Sequence, residues 1–506
     1  MKKLQAIYPP LAAAFPVLAV FSANLSLCPL HDLWRPLGIA VGIAGLIWLV
    51  ASLVCRSAGR GAAAATVVIV ACFFYGKIDD YCYTRQLPTA LIWAVIALPF
   101  AALAGWKWRW HRPVNVLSIF LVLSSVGSII FGYARIARDE ARLAPQSAPG
   151  SSGAASRPDI YYVILDGYGR SDQLKRVMRF DNGAFVAELE KRGFYLATQS
   201  HSNYVQTELS LASSLNVDFV PRLLPQQPAN SDDRGPLDVL ATHSAVAKYL
   251  RSIGYETITV TTGFPALKFD DADIHLGQPH RVSLLESTLE AMTPIGENSS
   301  IYDSAYEERR QMLNAAFANL RTIAGTSSIK PRFVFAHILA PHPPFVFNSD
   351  GSPRPRPHGG FGYWDGSDFY ASGNTKDNYR DGYVNQTQYM DAQTLTVVDA
   401  ILANTAVKPI ILVQGDHGSK LGLSQNSLAK SDITECMSNL MAYEVPDEVR
   451  AKLYPEITPV NSFRIILSTL FGADLPNQPD RSWFSTFDEP YKFTEVTDRL
   501  RATTGR

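Results

Sequence analysis

Ile160-Tyr161-Tyr162-Val163-Ile164-Leu165-Asp166-Gly167 is a short run, apolar on both faces, that stops at an acid and a glycine. Unbroken rather than alternating apolarity marks a strand buried on both sides, as in a parallel sheet covered by helices. Thr257–Thr261, Phe333–Leu339 and Ile410–Val413 have the same character. Between them lie segments with helical apolar spacing: Leu237–Ile253, Ala305–Ile323 and Tyr383–Asn404. This alternation predicts an α/β/α sandwich with a mostly parallel sheet. In such sheets the chemistry collects at the carboxyl ends of the strands.

Upstream, Arg138–Ser156 is rich in Ala, Pro, Ser and Gly, the composition of a flexible linker. Before it, the apolar stretches Leu4–Leu27, Pro36–Cys55, Ala62–Tyr75, Thr89–Trp106 and Val114–Ile136 approach the ~20 residues that cross a bilayer. The third is the shortest. The expected layout is a transmembrane anchor of about five helices over residues 1–138, a linker over 139–157 and a catalytic domain over 158–506.

Basic residues cluster at Lys2 and Lys3, at Arg56 and Arg60, and at Lys107, Arg109 and Arg112. The intervening loops hold His31, Asp32 and Arg35, then Lys77, Asp79, Asp80 and Arg85. The positive-inside rule places the first set in the cytoplasm, and an odd number of spans then puts the second half outside. The expectation is a multi-pass protein of the cytoplasmic (inner) membrane with an extracytoplasmic, periplasmic catalytic domain. A basic start before an apolar run also suits a cleaved signal peptide, but the later spans anchor the chain in either case. No span carries a charge at its centre, so an ion pathway has nothing to run on.

The chain has 46 basic and 46 acidic residues among 506, a net charge of +0. That balance, without a Lys/Arg block, argues against nucleic acid as a partner. Five cysteines without a Cys-x-x-Cys pair exclude a disulfide scaffold and a zinc knuckle. Cys28 and Cys82 both fall at the expected outer face, where they are either a pair or free thiols.

Taken alone, Asp166 at a strand tip beside Gly167 reads as a turn residue, with a ligand as the alternative. Ile410–Val413 runs into Gln414-Gly415-Asp416-His417-Gly418, an acid and an imidazole side by side between glycines. Past a strand end such neighbours can converge on one ion. The segment Asn203-Tyr204-Val205-Gln206-Thr207-Glu208-Leu209-Ser210 opens a helical pattern with Thr207 at its start. Thr207 reads there as a helix cap, or as a nucleophile whose phosphoryl group meets the free N–H groups of the helix end.

Together these pieces resemble the alkaline-phosphatase superfamily, in its lipoteichoic acid synthase and phosphoethanolamine transferase branch. The motifs that carry the resemblance are Tyr162–Gly167, the Thr207 segment and Gly415–Gly418, with Val460–Gly472 similar to the family's late helix. The resemblance implies a sulfatase-like hydrolase or transferase. It also implies one divalent ion held by Asp166, Thr207, Asp416 and His417, with Thr207 taking up the phosphoryl group. An oxygen-rich ligand set favours Mn²⁺ or Mg²⁺ and leaves Zn²⁺ open. No histidine follows His417, which points to a single ion, with Asp432 as a possible substitute ligand for a second.

The loop Ala340-Pro341-His342-Pro343-Pro344 follows a strand end. His342 resembles the family histidine that contacts phosphate or leaving group, a catalytic and substrate-binding role; Asn203 is a further candidate substrate contact. His337, inside the strand, reads as a hydrogen-bonded core residue. The Cys/Ser-x-Pro-x-Arg motif that matures to formylglycine is absent around Thr207, which argues against sulfate-ester hydrolysis by that route.

The expected reaction moves a head group such as phosphoglycerol or phosphoethanolamine from a phospholipid donor to an envelope glycan or lipid, through a phospho-threonine. The alternatives are a phosphodiesterase, phosphatase or sulfatase-like hydrolase, and a catalytically inactive binding domain.

Overall fold

The computed structural model describes the chain except residues 1–5, 26–27, 84, 86, 108–109, 144–156, 263–268, 278–281, 295–299, 356–361, 405–406 and 505–506. Most of the expected linker therefore lies outside the described residues. The chain divides into two compact units.

The first unit gathers residues 1–138 with stretches from later in the sequence, among them the helix Leu284–Ala291. Its leading helices are α1 (Tyr8–Ala23), α2 (Trp34–Val54), α3 (Ala58–Phe73), α4 (Tyr75–Tyr83), α5 (Thr89–Lys107) and α6 (His111–Leu143). Among the described residues, three segments, Leu30–Val54, Thr89–Trp106 and His111–Arg138, are long and apolar enough to cross a membrane. The apolar helices α1 and α3 have 16 residues each. At ~1.5 Å per residue they reach about 24 Å, short of the ~30 Å of a bilayer core. Of the five expected spans, three are thus full length and two are short.

The stretch expected as a loop around Lys77 and Asp79 instead forms α4. Gly76 explains how this helix sits. Its N–H donates to Met292 O at 3.3 Å, and a Cβ there would lie 2.2 Å from Ala291 O. Only glycine allows that approach. The cysteines, Cys28 and Cys82 included, are all free.

The second unit carries a seven-stranded sheet. Its strands are β1 (Ile160–Leu165), β2 (Tyr195–Leu196), β3 (Glu256–Val260), β4 (Ile274–Leu276), β5 (Arg332–Ile338), β6 (Ile410–Gln414) and β7 (Met441–Glu444), in the order β2-β7-β6-β1-β5-β3-β4. The central strands pair in parallel, β1 between β5 and β6, with β3 joining β5 to β4. At the other edge β7 runs antiparallel to β6 and β2.

The four apolar runs are β1, β3, β5 and β6, each within a residue of its expected ends. On one face Ile160, Tyr162 and Ile164 pack with Phe333, Phe335, Ile410 and Leu412 against Phe463 and Ile466 of the late helix Pro459–Phe471. The expected segment Leu237–Ile253 is two helices, because Ser244 caps a new one by accepting from Ala247 N at 3.1 Å.

The long helix Lys376–Ala403 buttresses the turn after β1. Tyr383 Oη donates to Gly167 O (2.8 Å) and accepts from Gly169 N (3.1 Å). Two turns further on, Asp391 accepts from Tyr168 Oη at 2.8 Å. Burial pushes the Asp391 carboxyl up to about 8. Because this folded value lies above that of the unfolded chain, protonated Asp391 stabilises the fold at low pH. That contribution fades as pH rises from about 4 toward 8, by at most about 1.4 kcal/mol per pH unit. Asp391→Asn keeps an acceptor for Tyr168 and removes the titration. Thermal unfolding followed over this window should show a flatter pH dependence in the variant; parallel curves would refute it.

Candidate active site

The turn after β1 sets the first ligand. Gly167 has φ +71, a value open to glycine at no steric cost, and it lets the chain leave the sheet directly behind Asp166. On the neighbouring strand β6, Gly415 and Gly418 permit a second tight exit. A Cβ on Gly418 would sit 2.0 Å from Glu435 O, so this loop closes only on glycine. Glu435 clamps the loop from below, accepting from Ser419 Oγ (2.8 Å), Leu421 N (2.7 Å) and Gly422 N (2.8 Å).

Two parallel neighbours in register, Ile164 beside Gln414, thus deliver Asp166, Asp416 and His417 to one point. All three are fully buried. Their ligand atoms lie within 4.8 Å of one another. Gly167 N–H donates to Asp416 Oδ1 at 2.9 Å. His417 Nδ1 contacts Gly418 O at 2.8 Å; a carbonyl only accepts, so this nitrogen carries the proton and Nε2 is left bare. Nε2 lies 3.3 Å from Asp416 Oδ2, 3.6 Å from Asp166 Oδ1 and 3.1 Å from Thr207 Oγ1.

Thr207 reaches this point from the first turn of the helix Thr207–Ser214. Gln206, not Thr207, is its cap residue, and no side chain caps the end. The first-turn N–H groups are therefore not taken up by a cap, and the Thr207 hydroxyl is turned to the cluster instead of to its own helix.

The residues present fit a divalent ion. Both oxygens of Asp166 and Oδ2 of Asp416 are buried with no hydrogen-bond donor, an arrangement that costs free energy without a cation. Burial first, and the Asp416 charge second, hold the Asp166 carboxyl well above the usual aspartate range. Burial likewise holds His417 well below the usual histidine range, neutral and ready to ligate.

A second layer surrounds the cluster. His342 lies in the proline loop, Nδ1 on Pro343 O at 2.6 Å and Nε2 3.4 Å from Asp365 Oδ2. Burial lowers His342 against the upward pull of Asp365. Lys420 Nζ lies 3.6 Å from the same Asp365 oxygen. Burial works against its charge, yet Asp365, Asp166 and Asp416 together hold it above the ordinary lysine value. Tyr379 Oη fixes the other oxygen, donating to Asp365 Oδ1 at 2.7 Å.

Sequence reasoning passed over Asp365 and Lys420. Each had a signal: Asp365-Gly366 repeats the acid-glycine pair of Asp166-Gly167, and Lys420 follows the Asp-His pair by three residues. His337 is a correction. It is buried, but neither ring nitrogen is hydrogen-bonded. Its Nε2 faces Asp166 Oδ2 at 3.5 Å, and burial drops its pKa to about 4.

Asn203 is committed to the main chain: Nδ2 donates to Arg481 O (2.8 Å) and Oδ1 accepts from Val460 N (3.0 Å) at the start of the late helix. Asp432 pairs with Arg176 at 2.7 Å and caps Ile433–Met437; it is not among the clustered ligands.

Comparison with known proteins adds the family. Among curated proteins none matches this chain. The structure is similar to the C-terminal periplasmic domain of EcEptC from Escherichia coli, with 11% identity over 69% of this chain and 96% of that one, TM-score 0.42. It is also similar to the integral membrane protein lipooligosaccharide phosphoethanolamine transferase A (EptA) from Neisseria meningitidis, with 11% identity over 92% of this chain and 96% of that one, TM-score 0.44. The family model described as Sulfatase matches residues 159–446, more than half of the chain and every clustered residue above. This protein, with its apolar N-terminal helices, is a sulfatase-like enzyme and belongs to the sulfatase family.

Proposed function

We propose that this chain is a metal-dependent transferase that moves a phosphorus-bearing head group, phosphoglycerol or phosphoethanolamine, from a membrane phospholipid to an extracytoplasmic glycan or lipid. The observation that carries the reading is Thr207 Oγ1 at an uncapped helix end, 3.1 Å from His417 Nε2 and beside three carboxylate oxygens with no donor.

Asp166, Asp416 and His417, with the Thr207 hydroxyl, would hold one ion. Their oxygen-rich set suits Mn²⁺ or Mg²⁺ and accommodates Zn²⁺. A divalent ion bound there supplies the charge that lets the Thr207 hydroxyl ionise near neutral pH. Thr207 Oγ1 then attacks phosphorus, forming one P–O bond while the bond to the diacylglycerol oxygen breaks. The non-bridging phosphoryl oxygens meet the first-turn N–H groups and the Lys420 ammonium. His342, held in its loop beside Asp365, takes up on Nε2 the proton that Thr207 loses, hands it to the departing alkoxide and later takes one from the acceptor hydroxyl. The second displacement frees Thr207 and gives the transferred product.

A lipid donor accounts for the membrane anchor, and the charge pattern of residues 1–138 supports a multi-pass inner-membrane protein with this site outside. The full-length enzyme in vesicles, given phospholipid with a labelled head group, should release diacylglycerol in step with labelled acceptor. Release of free phosphate or free head group, with no acceptor labelled, would overturn transfer in favour of hydrolysis. Neither product would leave the site without this chemistry.

A further inference from the structure

The second compact unit contains a polar pocket of about 340 Å³, near the ~300 Å³ lower end of ligand pockets and so of a size for one small guest. None of the proposed ion ligands lines it, and neither do His342, Asp365 or Lys420.

His201 lines this pocket and is only 8% exposed. Its Nε2 lies 3.4 Å from Arg170 Nη1. A guanidinium only donates, so Nε2 accepts and the ring proton sits on Nδ1. Burial first, and the Arg170 charge second, push the ring down to about 3, which keeps it neutral. Nδ1 has no hydrogen-bond partner among the described residues. Unlike the ring nitrogens of His337, it is not sealed in. It is an N–H donor open to a guest.

The buried hydroxyls are its complement. Thr458 Oγ1 donates to Asp480 Oδ1 (2.7 Å), Ser482 Oγ to Ser202 O (2.7 Å) and Thr497 Oγ1 to Glu495 Oε1 (2.9 Å). With their protons committed inside the protein, these oxygens can only accept from a guest. Gln199, half-buried on the same wall, has an amide that both donates and accepts.

Charge narrows the choice of guest. Asp480 already accepts from Thr458, Asn461 and Tyr454. That leaves Glu456 and Arg501, both exposed, as opposite charges on the lining. An anion meets Glu456, a cation meets Arg501, and an apolar guest leaves His201 and the hydroxyls unpaired. A neutral guest whose groups each donate and accept satisfies them all, and sugar hydroxyls do so.

We propose that this pocket is a carbohydrate-binding site for one uncharged hexose unit, with a sugar oxygen accepting from His201 Nδ1 and sugar hydroxyls donating to the threonine and serine oxygens. It stands apart from the Thr207 chemistry and goes beyond the proposed transfer, because it binds sugar with or without a reaction.

The test is saturation-transfer NMR on the full-length protein in lipid nanodiscs, titrated with the methyl hexopyranosides of glucose, galactose and mannose. At least one should bind with a dissociation constant on the order of 1 mM, the strength a few neutral hydrogen bonds support. Inorganic phosphate, which belongs to the Thr207 cluster, should not displace it. Gln199→Ala should weaken binding roughly three- to tenfold, the loss of one or two such bonds, and Gln199→Trp should block the pocket with the metal content unchanged. No transfer to any hexoside, displacement by phosphate, tighter binding of the zwitterion glycine, or binding that survives Gln199→Trp would each overturn the assignment. No lipid donor is present, so the result is independent of whether head-group transfer holds.

Discussion

Thr207→Ala should lower the proposed head-group transfer by roughly 10³-fold or more, the scale on which removing a covalent nucleophile acts. The variant should still fold, because Gln206 rather than Thr207 occupies the cap position of the helix. Three of the four proposed ligands remain, so the metal content of the purified protein should fall only partly. Thr207→Ser keeps the hydroxyl and should recover part of the activity. Wild-type enzyme given donor and no acceptor should carry the head-group phosphate on the peptide containing Thr207, read by peptide mass spectrometry. An active Thr207→Ala enzyme would exclude the covalent route and leave an activated water as the attacking group.

Asp166→Asn should abolish activity and at the same time raise the melting temperature of the metal-free protein. Asp166 is buried with both oxygens unpartnered, and burial and Asp416 hold its carboxyl well above the usual range. The folded value exceeds the unfolded one. The protonated form therefore stabilises the fold at acid pH, and that stability is lost as pH rises through the raised value. Near neutral pH the metal-free protein carries this penalty, on the order of 1–3 kcal/mol for a buried group without partners. An amide of the same shape escapes the charge part of it. In the wild type, a ligating ion at one hundred times its dissociation constant should add about 2.7 kcal/mol. The variant should show little of that gain. Thermal unfolding with chelator and then with Mn²⁺ or Zn²⁺ gives both readings. A metal-free variant less stable than the wild type would refute the electrostatic account.

The central sheet was legible because its four core strands are apolar on both faces, a pattern that survives without knowledge of their neighbours. The edge strands β2, β4 and β7 were not, since two to four residues carry no period. Asp166, Asp416 and His417 stood out because each follows such a core strand directly. Lys420 and Asp365 did not, because a lysine in a loop is ordinarily a solvated one; only the packed site shows it buried among carboxylates. His337 misled for a related reason: strand burial predicts a partner for each ring nitrogen, and here neither is hydrogen-bonded and Nε2 only faces Asp166 Oδ2 at 3.5 Å. The helix Leu284–Ala291 has an ordinary amphipathic sequence, and nothing local in it indicates that it belongs with α1 to α3.

The position of β1 in the sheet sets a problem of timing. Both of its edges pair with strands that come much later in the chain, β5 from Arg332 and β6 from Ile410. During synthesis, Ile160–Leu165 emerges before its partner strands and waits with both edges open. It is a six-residue apolar strand with no proline and no charge, the kind of segment that seeks other chains when left unpaired. Contacts this distant in sequence form slowly. Biogenesis therefore depends on shielding this strand until Ile410–Gln414 has been delivered, and truncated chains that end before β6 should aggregate, not merely lack activity.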